Sequence, residues 1–400
     1  MMKRRFTYLF VLALAACTTE TLLPSEMTEE TQEYTSVRMS LPPAVFDDCP
    51  ETKNEALLGS SISYVWSATD TVGIFPGAGS QIYFSMATGA GQTSAKFDGG
   101  GWALKKGSDY YSYFPFVPDF YIDKRAIPVT FVGQNQTGNG DPTHAYLGNY
   151  CYMVAKGVAD EATGSLFFNY ERVGVLFRIR IPVQAGVYTS LSVRVSDKIL
   201  TESGTIDAVN ITKTIDDPVY TDKITLSLND LVMQSDGTLV GFLMLPPFNV
   251  LGSQVNFELV KEDGSVVIAS AVGKNFVLGK TYDNAPKFSV GPVTSEIDAE
   301  GGSVSFDIHS SGTSSYTVAS DAEWLVLTSE PTSGSAKVIA KASANTGKPR
   351  TAHIIVSETV TLNGSPVVLD NVITVTQNNS GLNIGVGDWE SGEDQGGVAS

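Results

Sequence analysis

The 400-residue chain reads as an all-β protein of stacked sandwiches, and three observations lead there. Apolar residues recur with period two: Val175, Phe177, Ile179 and Ile181 alternate with Leu176, Arg178 and Arg180, and Leu191-Ser-Val193-Arg-Val195, Ile224-Thr-Leu226-Ser-Leu228 and Val255-Asn-Phe257-Glu-Leu259 repeat the pattern. Each is a half-buried antiparallel strand with one wet face. Gly, Asp, Asn and Pro break the pattern at short intervals, and no long run of helical apolar spacing follows residue 17. A hydrophobic content of 42% over this length indicates globular material for two or three cores.

The N-terminus is organised around Leu14-Ala15-Ala16-Cys17. Lys3, Arg4 and Arg5 precede an apolar run from Phe6 to Ala16, the layout of a secretory signal. About 11 helical residues rise only about 16 Å, too short for a bilayer core. The tetrapeptide resembles a bacterial lipobox. That resemblance implies cleavage before Cys17, lipidation of its sulfur and a membrane partner held through the lipid anchor, with the protein at the outer membrane or cell surface. Removing residues 1–16, which carry three bases and no acid, takes the formal charge from −17 to −20. Such a charge argues against nucleic acid as a partner. Residues 18–33 hold five Glu and no base, so 17–33 reads as a flexible acidic tether. Cys49 and Cys151 remain; an oxidising compartment permits their pairing, and nothing in the sequence places them within reach.

From Tyr34 onward a family pattern emerges. Val65-Trp66-Ser67, Asp70-Thr-Val72-Gly73-Ile74-Phe75, Ala95-Lys-Phe97-Asp-Gly, Gly101-Trp102-Ala-Leu104 and Tyr110-Tyr-Ser-Tyr113-Phe-Pro115 come in that order. Val175-Leu-Phe177-Arg-Ile179, Leu243-Met-Leu245-Pro246-Pro247 and Leu278-Gly279-Lys280-Thr281-Tyr282 follow. The series resembles the fimbrillin-like, type V pilus-related lipoproteins of Bacteroidetes. The resemblance implies tandem transthyretin-like β-sandwich subdomains over 34–160 and 161–290, with a break near Gly157–Gly164. Trp66, Phe97 and Trp102 read as core aromatics, and Gly73 and Gly99-Gly100-Gly101 as turn or bulge positions.

After Val290-Gly-Pro292 come Glu300-Gly-Gly302-Ser-Val304-Ser-Phe306-Asp-Ile308, Ala322-Glu-Trp324-Leu325, Pro331-Thr-Ser-Gly334, Arg350-Thr-Ala-His-Ile354 and Val372-Ile-Thr-Val375-Thr-Gln377. This stretch resembles a BACON domain, which implies an Ig-like β-sandwich over 291–379 with Trp324 in its core. It departs from the usual pattern in a longer last hairpin, Thr359–Asp370, turning at Asn363-Gly364. The tail, 380–400, has four acids and no base, yet Leu382, Ile384 and Val386 alternate with Asn383 and Gly385 like a closing or donor strand.

No catalytic constellation appears, and no cofactor or metal is expected. His144, His309 and His353 are scattered, the glycine pairs Gly77-Ala-Gly79 and Gly89-Ala-Gly91 lack a third glycine and a helix, and no Gly-x-Ser-x-Gly elbow exists. Asp47-Asp48 and Asp216-Asp217 read as solvated loops. The expectation is therefore a non-enzymatic, fimbrillin-like adhesin or pilus-associated subunit of anchor or tip type. The family resemblance implies assembly with other pilus subunits by β-strand complementation, with Arg38 the candidate for proteolytic processing of the first strand. The plainer reading of Arg38 is an outward side chain on strand 35–41. The alternative is a host- or dietary-glycan or mucin binder that uses the BACON module or sandwich-end loops, with Tyr111 and Tyr113 as candidate sugar contacts; the plainer reading of those rings is packing.

Overall fold

A computed structural model describes residues 36–41, 45–46 and 64–379, apart from 103, 120, 141–144, 212–213, 313–314 and 363. The lipobox with Cys17, the tether, Cys49, Asp47-Asp48, His144 and the tail with Leu382, Ile384 and Val386 lie outside the described residues. Among the described residues the chain is almost entirely β, with no α-helix and a single 3-10 turn at Ala145–Tyr150.

The first unit is an eight-stranded sheet. Its order is Phe167–Asn169, Ser36–Ser40, Ser94–Asp98, Ile82–Thr88, Thr71–Pro76, Asp109–Phe114, Met153–Val158, Glu171–Arg172. The outermost strands are consecutive in the chain, separated by Tyr170 alone, so one segment binds both margins and the sheet closes on itself. Closure removes the free edges an open sheet would expose. Inside, Trp66 meets Phe97, Phe114 and Tyr170 edge-on at 4.9, 5.5 and 5.8 Å.

Strand Asp109–Phe114 explains how this unit joins the next. Successive side chains of a strand point to opposite faces, and here both faces are covered. Tyr110 and Phe114 enter the Trp66 core. Tyr111 and Tyr113 enter a second core with Phe75, Phe131, Tyr152 and Phe177. Gly73, expected at a turn, sits mid-strand opposite Tyr113 without a positive φ; a Cβ there would fall inside the Tyr113 ring. Gly99 likewise leaves room for Phe84, whereas Gly100 and Gly101 do take positive φ. That turn carries Trp102 outward, where 57% of it is exposed, in contrast to the core position expected.

The second unit faces a four-stranded sheet, in order Gly237–Leu245, Val175–Val183, Lys280–Asn284, Val45–Phe46, against part of a nine-stranded one. The nine-stranded sheet begins Gln134–Thr137, Lys223–Met233, Gly186–Arg194, Gln254–Lys261, Val266–Val272. Hydrogen bonding extends the first unit's sheet to Arg172, while Ile127–Thr130 and Gln134–Thr137 pair with Leu200–Ile206 and Lys223–Met233 of the second unit. The two units are thus laced together by exchanged strands.

The nine-stranded sheet then runs on through Phe288–Gly291 into Gly301–Ser310, Ala336–Ser343 and Leu325–Leu327 of the C-terminal sandwich. Its opposing sheet is Thr294–Ile297, Ser365–Gln377, Arg350–Leu362, Thr317–Ser320. Phe306, Ile308, Val338, Val356, Ile373 and Val375 fill the space between. The long final hairpin reaches the second unit. Gln254 bonds both backbone groups of Asp370, and Ser270 Oγ lies 2.9 Å from Asn371 Oδ1. Lys287 Nζ meets Glu358, a buried carboxylate of the hairpin itself, at 3.2 Å.

Candidate interaction sites

The strand Ser36–Ser40 is held on both sides. It pairs antiparallel with Ser94–Asp98 and parallel with Phe167–Asn169. Val37 and Met39 are fully inside, with the Tyr170 hydroxyl 3.5 Å from Met39 Sδ, while Leu41 packs against the same core. Arg38 points outward between them and is exposed; its N–H donates to Leu166 O at 3.1 Å. This stave is therefore a slot-filler whose apolar side chains sit at every second residue.

The Leu278-Gly279-Lys280-Thr281-Tyr282 motif is structural. Gly279 takes φ +74 and its N–H donates to Gly174 O at 3.0 Å. The buried Arg172 guanidinium donates to Gly279 O at 2.8 Å, bonds the Tyr64 hydroxyl and stacks 4.3 Å from the Tyr64 ring. Tyr282 closes an aromatic cluster with Phe177, Phe248 and Phe276, and its hydroxyl accepts from Val277 N at 2.9 Å. Burial raises the Tyr64 phenol well above its usual range, against the pull of Arg172. Cys151, free and buried beside this cluster, is pushed up to about 11 by the same desolvation.

The candidate sugar contacts pack inside, as their plainer reading has it. Tyr111 is 8% and Tyr113 1% exposed. Both rings face the second core because the first sheet is covered on both sides. The Tyr113 hydroxyl donates to Gln81 Oε1 at 2.5 Å. Trp324 is only partly buried, in contrast to the core residue expected. It packs on the C-terminal core, and the Arg350 guanidinium lies 4.2 Å from its ring centroid, itself held by Gln377 Oε1. The fully buried residue of that pair is Leu325. Asp216-Asp217 opens an exposed edge strand, and among the described residues no group of three or more His, Cys, Asp or Glu is placed to hold a metal ion. His309 and His353 each face one carboxylate, Asp236 at 3.8 Å and Asp321 at 2.8 Å.

Sequence reasoning missed one constellation. Gln134 and Gln136, both fully buried, and Asn139 aim their amides at strand Gly237–Leu245. The only signal for it was amides spaced by two in Gln134-Asn-Gln136, which reads from sequence as a polar loop.

The architecture is that of an all-β protein of packed sheets. Residues 314–378 match the family model described as "BACON: Putative binding domain, N-terminal", so the C-terminal sandwich carries a BACON domain. No curated protein matches the chain. Among solved structures, a Bacteroides ovatus protein described as a putative cell adhesion protein aligns with 64% of this chain and 92% of its own, at 14% identity and a TM-score of 0.41. A Parabacteroides distasonis protein of the same description covers 63% and 90%, at 8% identity and a TM-score of 0.32. A Bacteroides ovatus GH5 xyloglucanase, solved with a XXXG heptasaccharide, aligns with 23% of this chain and only 19% of its own length, at 24% identity and a TM-score of 0.18.

Proposed function

We propose that the protein is a cell-envelope lipoprotein, anchored through Cys17, that acts as a fimbrillin-like adhesin or pilus-associated subunit of anchor or tip type and assembles by β-strand complementation. The observation that carries this reading is the stave. Val37, Met39 and Leu41 enter one core while Arg38 and Ser40 face away, and Leu382, Ile384 and Val386 repeat that alternation over the same length. A strand of this kind draws affinity from main-chain bonds and specificity from alternate pockets.

Processing at Arg38 requires the stave to leave its slot, because a protease needs extended, unpaired backbone. In the closed sheet Arg38 is paired on both sides. This favours a subunit that keeps its first strand, and with it its lipid, over a shaft subunit. The chain leaves the C-terminal sandwich beside Ile297, where Asn378 N donates to Ile297 O at 3.2 Å. Four residues earlier Thr374 N donates to Val293 O, and Val293 N to Val266 O of the second unit, so both the second unit of the same chain and a neighbouring copy lie open to the tail as acceptors.

The test uses the mature chain cut back genetically to residue 42, which empties the slot without the processing that the closed sheet resists, and a synthetic peptide of residues 381–390. The cut chain is expected to bind the peptide, and replacement of Leu382 and Ile384 by Asp in the peptide to abolish binding. No binding by the cut chain, together with an oligomeric state unchanged by deletion of 381–400, overturns the reading.

A further inference from the structure

The outward edge of strand Gly237–Leu245 should be a place where another strand can add. On its inner side it pairs residue for residue with Val175–Val183, which leaves the N–H and C=O groups of alternate residues facing away from the sheet. Long apolar edges of this sort template edge-to-edge association.

Here those groups are already occupied, and by side chains. Gln134 accepts from Met244 N at 2.8 Å and donates to Met244 O at 2.7 Å. Gln136 accepts from Phe242 N at 3.0 Å and donates to Val240 O at 2.8 Å. Asn139 accepts from Val240 N at 2.7 Å and donates to Thr238 O at 3.0 Å. The Tyr146 hydroxyl donates to Phe242 O at 2.6 Å. Four side chains thus take every outward backbone group from Thr238 O to Met244 O. A carboxamide sets N–H donors beside a carbonyl acceptor, as the edge of a peptide unit does, so amides at this spacing imitate a neighbouring strand. The backbone sets the spacing. Gln134 and Gln136 share a face of strand Gln134–Thr137, and Gly138 at φ +67 turns Asn139 back onto the ladder.

We infer that Gln134, Gln136 and Asn139 are edge guards that prevent a second copy of this chain from adding a strand along Gly237–Leu245. A partner strand would have to displace seven satisfied bonds, two of the amides being fully buried. The first unit is closed by Phe167–Arg172. Strand complementation, on the reading above, is then left to the tail of this chain and to copies whose Ser36–Ser40 slot has been emptied.

The experiment compares the full mature chain with Asn139→Ala and Gln136→Leu by sedimentation velocity over a concentration series and by backbone amide exchange. All three chains also carry Asp at 382, 384 and 386, which removes any tail-driven assembly. The guarded chain is expected to stay monomeric. Asn139→Ala should speed exchange at Val240, and Gln136→Leu at Phe242, on the order of tenfold, with new concentration-dependent association in each. Because Asn139 is exposed, its variant keeps the fold and decides the matter alone if Gln136→Leu does not fold. A folded Asn139→Ala chain with unchanged exchange at Val240 and no association overturns the inference. Association that needs the native tail and an intact ladder instead reports on strand complementation, so the two readings fail separately.

Discussion

Gln254 and Asp370, 116 residues apart, are joined as two strands would be: the Gln254 amide donates to Asp370 O and accepts from Asp370 N, each at 2.9 Å. The pair ties the second unit to the long final hairpin of the C-terminal sandwich. With Ser270–Asn371 and Lys287–Glu358 it makes the long hairpin a clamp. The sheet shared through Phe288–Gly291 supplies the other attachment.

Gln254→Ala should therefore loosen the C-terminal sandwich without unfolding either unit. Two half-buried backbone groups lose their partners, on the order of 1 kcal/mol of coupling. Calorimetry is expected to resolve a separate C-terminal transition in the variant where the native chain melts as one; a single unshifted transition speaks against the clamp.

Gly73→Ala should destabilise the first unit by about 1–3 kcal/mol, because the new methyl collides with the Tyr113 ring. Tyr113→Ala on its own should cost about 3–5 kcal/mol. In a double-mutant cycle read by urea denaturation, the combined variant should be markedly less unstable than the sum. Additivity would mean the ring does not sit over Gly73.

In the C-terminal sandwich, Leu325→Ala should cost about 2–5 kcal/mol and Trp324→Ala clearly less, since Leu325 is fully buried and Trp324 is half covered by Arg350. Thermal melts of the two full-length variants check the order. The reverse order would place Trp324 deeper than its packing indicates.

Burial raises the Cys151 thiol from 9.0 to about 11 in the folded protein. The unfolded chain therefore gives up this proton at lower pH than the folded one. The corresponding stability is present in full below pH 9 and is lost as pH rises from about 9 to about 11. Cys151→Ala is expected to flatten that part of the urea-midpoint profile. The native thiol should also resist a thiol reagent at pH 8 until the protein unfolds; prompt labelling would contradict its burial.

The proposed lipid anchor has its own test. Cys17→Ala should move the protein from the detergent phase to the aqueous phase on partition, and retention in the detergent phase would argue against lipidation.

Local sequence determined the all-β class, because period-two alternation and turn residues act over a few neighbours and survive any tertiary arrangement. It also determined the Phe97 and Trp66 core positions and the BACON signature. Tertiary structure decided what depends on which faces meet. Tyr111 and Tyr113 alternate with Tyr110 and Phe114, and only a core on each side of their sheet buries all four. Trp102 turns outward because two glycines of positive φ precede it. Gln134, Gln136 and Asn139 look like a polar loop until Gly237–Leu245, a hundred residues on, lies beside them. A side chain's hydrogen-bond partner is not encoded in its own neighbourhood, so the ladder became visible only in the folded chain.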